Sequence, residues 1–185
     1  MRVVSGTLKG RRFTPPSNFK ARPTTDTARE ALFNILAHSL DFEGMAVLDL
    51  FAGTGAISYE FASRGCSNIT LVEMQMQNFS FIQKCTREFG LTNIIKLVKG
   101  DAFNFIEKSA KYSYDLIFAD PPFDLREFDR VVPAILNSNI LKPDGVFIIE
   151  HGTNYDYSSS PCFVQTRKYG KVCFTFFKTV ESQGS

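Results

Sequence analysis

Four carboxylates in this chain stand at or near the points where apolar runs stop: Asp49 in AVLDLF, Glu73 in NITLVE, Asp101 after IIKLVKG and Asp120 in YDLIFAD. Each run reads as a buried strand, and open α/β sheets bind ligands beyond the carboxyl ends of their strands. Asp120 is the most specific of the four, because Pro121, Pro122 and Phe123 follow it directly. Two prolines remove two N–H donors and fix φ, so the stretch offers acceptors, stiffness and a flat ring. That combination suits an exocyclic amine on a nucleobase, a poor nucleophile whose lone pair is delocalised into the ring. Asp120 can accept one N–H, a carbonyl held by the prolines the other, and Phe123 can stack on the base; the work is positioning and electrostatics. A strand merely ending in Asp before helix-breaking prolines is the plainer reading, and it leaves the other three acids unexplained.

The first strand runs into Phe51-Ala52-Gly53-Thr54-Gly55, where two glycines permit a tight turn before a helix with free N–H groups. A dinucleotide is disfavoured: Ser58 stands where that fingerprint wants Gly or Ala, and Asp49 would repel a pyrophosphate. Glu73 lies twenty residues after Gly53, where an acid accepts from ribose hydroxyls. Asp101 is placed to meet an adenine amino group. A ligand with a ribose, an amino group and positive charge fits, and S-adenosylmethionine has all three. The expected cofactor-binding residues are Asp49, Ala52, Gly53, Thr54, Gly55, Glu73, Met74, Asp101 and Ala102.

Strand–helix alternation from residue 46 predicts a mostly parallel sheet covered on both faces, and CFVQTRKY with KVCFTFFKTV an antiparallel edge hairpin, Cys173 facing about Thr166. Before it, residues 1–14 read as a small hairpin, Pro15, Pro16 and Pro23 as an extended linker, and Asp26 as the cap of a helix through ALFNILAHSL. The expected division is a basic extension over 1–40 and a catalytic domain over 41–185. With 185 residues, 44% hydrophobic and no apolar run long enough for a signal or membrane span, a cytoplasmic monomer is expected. Cys66, Cys85, Cys162 and Cys173 lack metal-ligand spacing and read as reduced thiols, so no metal is expected, and His38 and His151 receive no catalytic role. Net charge is +2, but residues 1–25 hold six bases and no acid, so the remainder is mildly acidic. A basic arm on an acidic body fits a polyanion; Arg2, Lys9, Arg11, Arg12 and Arg22 are the candidate RNA contacts.

D-P-P-F and D-L-F-A-G-T-G match the motifs of amino-group methyltransferases, and R-V-V-S-G-T-L-K-G-R-R-F with R-P-T-T-D-T-A-R-E-A-L-F-N is more specific. Together with L-V-E and the motif order, the chain resembles the RsmD family of bacterial 16S ribosomal RNA guanine-N2 methyltransferases. The resemblance implies a Rossmann-type class I methyltransferase with an N-terminal extension that helps bind RNA. It implies methyl transfer from S-adenosylmethionine to N2 of a guanine, with Asp49, Gly53, Gly55, Glu73, Asp101 and Asp120 to Phe123 in the site. Arg22-Pro23-Thr24 would close over it. The core motif alone also suits adenine N6 or cytosine N4 in DNA or RNA, or a glutamine side chain. An RNA-binding assembly factor that has lost catalysis is the non-enzyme alternative, and it predicts a damaged D-P-P-F or glycine turn, both intact here. Only the N-terminal block argues for guanine in RNA.

Overall fold

The computed structural model describes residues 1–16, 19 and 24–179. Five helices are described, α1 (Asp26–Ser39), α2 (Ala56–Ser63), α3 (Met76–Glu88), α4 (Ala102–Lys108) and α5 (Val131–Ser138). The strands are β1 (Ala46–Leu50), β2 (Asn68–Glu73), β3 (Ile95–Lys99), β4 (Tyr114–Ala119), β5 (Leu141–Gly152), β6 (Phe163–Tyr169) and β7 (Val172–Lys178). They form one seven-stranded sheet in the order β3-β2-β1-β4-β5-β7-β6. The first five strands are parallel, and β7 joins β5 antiparallel with β6 outside it. This is a mixed sheet flanked by helices, the architecture of a class I Rossmann-type methyltransferase fold.

Side-chain alternation along each strand sorts the core into two layers. Val47, Leu71, Leu116, Phe118, Ile148 and Phe174 face α1, α2 and α3. Leu48, Leu50, Ile117, Phe147, Ile149 and Phe177 face α4 and α5. Parity therefore puts Asp49 on the first face, two residues beyond Val47 and in register with Phe118. Order reverses between β1 and β4: the chain moves outward from β1 through β2 to β3, then returns to β1's other side. That reversal opens a crevice at the carboxyl ends of β1 and β4.

The first residues pair as a short antiparallel ladder, with a bridge between Arg2 and Arg12 and Val3 N–H donating to the Arg11 carbonyl at 2.9 Å. Its apolar side is buried. Val3 and Phe13 join the first core layer, and the Phe13 ring meets Tyr59 edge-on at 5.3 Å between centroids. Gly6 comes so close to the end of α2 that a Cβ there would lie 1.8 Å from the Ser63 carbonyl oxygen. Thr7 N–H donates to that same oxygen at 2.7 Å. Arg29, fully buried on α1, donates to the Arg2 carbonyl and pairs with Asp26 at 2.7 Å and Glu60 at 3.4 Å.

Three local expectations need correction. Thr25, not Asp26, caps α1: its hydroxyl accepts from Ala28 N–H at 3.2 Å, because Asp26 is already helical and is drawn to Arg29 and Arg2. Cys173 pairs with Lys168 rather than about Thr166, since Tyr169 still pairs with Val172 and the turn falls one residue later, at Gly170-Lys171. All four cysteines are free. Finally, β1 ends at Leu50, where Phe51 turns away at φ 60°.

A strand-end acidic site

Phe51 begins the turn that the glycines complete. Gly53 and Gly55 have φ of 55° and 78°, in the left-handed region that glycine enters without strain. Gly55 then starts α2, and a Cβ there would press to 2.7 Å from the Tyr59 hydroxyl. Glu73 braces the turn from the neighbouring strand: one carboxylate oxygen accepts from Gly53 N–H at 2.9 Å, the other from Gln75 N–H at 2.6 Å. A carboxylate so held offers its remaining lone pairs in a fixed direction.

Asp49, Ala52, Gly53, Thr54 and Asp120 line one cleft with Met1, Thr24 and Phe118. Asp49 is 2% exposed and accepts from the Ser58 hydroxyl at 2.7 Å. Burial pushes its carboxyl up to about 7; the Ser58 bond opposes this and the Glu73 charge adds to it. Asp120 follows β4 beside the end of β1, its N–H donating to the Leu50 carbonyl at 3.3 Å. Burial, then the charges of Glu150 and Asp49, holds its carboxyl well above the usual carboxylate range. The arrangement disfavours the ionised form of Asp120: three acids crowd one site with no cation paired to them among the described residues.

Along the rest of D-P-P-F the side chains become more exposed. Pro121 is buried, Pro122 is exposed, and Phe123 presents its ring at 55% exposure. The Pro122 carbonyl accepts from Leu125 N–H at 2.9 Å, whereas that of Pro121 has no backbone partner among the described residues. Pro121 thus supplies the candidate second acceptor.

Other expected residues are less central. Asp101 caps α4, one oxygen accepting from Asn104 N–H at 2.9 Å, which leaves the other for a ligand. Ala102 is buried beneath it, and Met74 is exposed next to Glu73. Lys9, Arg11 and Arg12 are exposed on the N-terminal ladder, and Arg2, also exposed, lies 3.5 Å from Asp26. Arg22 lies outside the described residues. Among those described, no group of His, Cys, Asp and Glu could hold a metal.

Two site residues escaped the sequence reading. Glu150, 3% exposed near the end of β5, accepts from the Thr24 hydroxyl at 2.6 Å. Burial pushes its carboxyl up to about 7, with the Thr24 bond pulling the other way. The signal was present, since GVFII also runs into an acid. Ser58 was read only as a departure from a dinucleotide fingerprint. Its bond to Asp49 spans nine residues across the turn.

A pocket of buried acids beside a braced glycine turn fits a cationic nucleoside, and the fold and site together define a class I methyltransferase, an enzyme that uses S-adenosylmethionine. The chain belongs to the family described as "Conserved hypothetical protein 95", whose model matches residues 1–178. "Putative rRNA methyltransferase YlbH" of Bacillus subtilis is 30% identical over 96% of this chain and 98% of its own. "Ribosomal RNA small subunit methyltransferase D" of Escherichia coli K12 is 29% identical over 100% of this chain and 92% of its own. The solved structure of "Putative methyltransferase yhhF from Escherichia coli" aligns with a TM-score of 0.82 and 25% identity, covering 97% of this chain and 98% of that one. Among the described residues, no helix is long and apolar enough to cross a membrane.

Proposed function

We propose that this methyltransferase acts on the exocyclic N2 of a guanine in 16S ribosomal RNA. The observation that carries an amino-group target is Asp120 at the crevice between β1 and β4, followed by a free Pro121 carbonyl and an exposed Phe123 ring. Two acceptors draw on the two N–H bonds of the amine, so its lone pair turns out of the ring plane. The base must leave any stack to reach this crevice, and Phe123 replaces the lost stacking. The ribosomal target rests on the names that the relatives carry and on the N-terminal sequence block.

S-adenosylmethionine, when bound, supplies an electrophilic methyl on a sulfonium. Asp49 and the turn residues Ala52, Gly53, Thr54 and Gly55 would hold its charged amino-acid end. Glu73, with Met74, would hold the ribose, and Asp101 with Ala102 the adenine. Residues 1–40 form an extension whose exposed Lys9, Arg11 and Arg12, joined by Arg2 and Arg22, would hold RNA phosphates without reading bases.

The test is to incubate the protein with labelled S-adenosylmethionine and small-subunit particles, or naked 16S RNA, from a strain lacking the enzyme, and then to analyse nucleosides. Labelled N2-methylguanosine is the expected product. Labelled N6-methyladenosine or N4-methylcytidine would move the target, and label in neither RNA form would overturn the ribosomal reading.

A further inference from the structure

D-P-P-F accounts for Asp120, and the glycine turn accounts for Asp49. Glu150 belongs to neither motif, yet it is the acid placed beside Asp120. Ala119 and Ile149 are register partners on parallel β4 and β5, so the next residues, Asp120 and Glu150, are neighbours at the strand ends. Parity puts both on the face that carries Phe118, Ile148 and Asp49. The groups facing Glu150 offer little to balance its charge. Thr24, ahead of α1, gives a neutral hydroxyl at 2.6 Å, and the register partner on β7 is Phe174. Beyond Asp120 comes a third acid, Asp49, itself next to Glu73. The buried cation on α1, Arg29, is engaged by Glu60, Asp26 and the Arg2 carbonyl.

Two adjacent carboxylates, Glu150 buried and Asp120 half-buried, resist ionising together. Asp120 accepts best when ionised, because protonation turns one of its two oxygens from an acceptor into a donor and leaves the other a weaker, neutral acceptor. One of the two acids therefore has to carry the proton, and only Asp120 adjoins Pro121 and Phe123.

We propose that Glu150 is a positioning residue for methyl transfer: it and Asp120 hold one proton between them, and Glu150 carries it while Asp120 accepts from the target amine. The role rests on the amino-methyltransferase reading given above. It also gives the surplus proton of the reaction a destination. The amine's lone pair forms the N–C bond, and the electron pair of the broken C–S bond stays on sulfur. The methylated nitrogen, now cationic, gives one proton to the carboxylate pair, and solvent receives it once the product has left. Thr24 biases the sharing, since its donated bond favours the ionised form of Glu150.

Glu150→Gln keeps the shape and the acceptor for Thr24 but removes the charge. Relieved of its neighbour, Asp120 should ionise at lower pH, so the acid limb of the single-turnover pH–rate profile should move down by about one pH unit or more. Thr24→Val, which removes a donor to ionised Glu150, should move the limb the same way by less. A second readout needs no RNA. Binding of cationic S-adenosylmethionine near pH 6.5, followed by calorimetry in buffers of different ionisation heat, should release more protons from the wild type than from Glu150→Gln. A folded Glu150→Gln with wild-type pH limb and proton release overturns the proposal. Should that variant not fold, a wild-type limb and proton release in Thr24→Val overturn it instead. If RNA is never methylated but the proton release differs as expected, the shared proton stands and the ribosomal reading fails.

Discussion

Two clusters of charge are buried on the same face of the sheet, and they are built by opposite rules. Where the N-terminal ladder docks on α2, Arg29 and Glu60 are both fully buried and face each other, with Asp26 and Arg64 completing the group. The main chain of the ladder adds two bonds, Val4 N–H donating to Glu60 and Arg29 donating to the Arg2 carbonyl, which leaves one guanidinium nitrogen of Arg29 without a hydrogen-bond partner among the described residues. At the strand ends, Asp49, Asp120 and Glu150 have one sign, and among the described residues only the hydroxyls of Ser58 and Thr24 answer them with side-chain hydrogen bonds. The first cluster holds two parts of the chain together. The second crowds like charges that a cationic ligand would balance. Burial alone does not separate structural charge from functional charge; the presence of a partner does.

The largest expected effect lies in the unbalanced cluster. Asp120→Ala should lower single-turnover methyl transfer by roughly 10²–10⁴-fold while binding S-adenosylmethionine almost normally, as befits an interaction made in the transition state. Asp120→Asn keeps an acceptor and should retain more activity than Ala. Equal, wild-type turnover in both would reduce Asp120 to a strand terminus.

Breaking the balanced cluster should instead cost folding. Arg29→Ala strands Glu60 in the core and should lose about 3–5 kcal/mol in urea unfolding. Replacing both Arg29 and Glu60 with Met should recover part of that loss, because no charge is then left alone. If the single and double variants were equally unstable, the ion pair would not be the reason.

A smaller effect of opposite sign is expected from Asp49→Asn. Asp49 titrates near 7 in the fold against an ordinary value of 3.8, so the native state binds the proton more tightly than the unfolded chain. Its contribution is therefore fully present below about pH 4 and is lost as pH rises through about 7. Without cofactor, Asp49→Asn should be more stable than wild type at pH 8, by about 1–3 kcal/mol, and the gain should vanish near pH 4. Its cofactor affinity should fall. Thermal melts at the two pH values check the first statement, and a variant with no pH-dependent gain would remove Asp49 from the crowded set.

The smallest effect belongs to the surface. Arg11 and Arg12 replaced together by Ala should flatten the salt dependence of RNA binding by roughly one unit of log–log slope per lost phosphate contact. Cofactor affinity should be unchanged, and an unaltered slope would leave the ladder's cations merely solvated.

The sequence made the strands legible because buried parallel strands read as apolar runs, and it made Asp49, Glu73 and Asp120 legible because those runs end near acids. Glu150 follows the same rule but lay in a segment valued only as a strand. Thr24 was read only as part of a stretch that would close over the site; no local pattern shows its partner, which is 126 residues away. Thr25 and Asp26 are both good helix caps, and the choice between them is made by Arg29, a tertiary contact that propensity does not contain.

The return of β4 to the inner side of β1 also sets an order of assembly. β1 meets β2 across a short interval, Ala46 against Asn68, but meets β4 only across a long one, Val47 against Leu116. Loop closure favours the nearer pairing, so β1, β2 and β3 can associate before the second half of the sheet arrives. The crevice has one wall until then, and the link from Thr24 to Glu150 closes over the longest interval among the side-chain hydrogen bonds described. On a ribosome still synthesising this protein, the acidic pocket is completed only once β5 has emerged, so most of the chain ahead of it can fold before Asp120 and Glu150 are brought together.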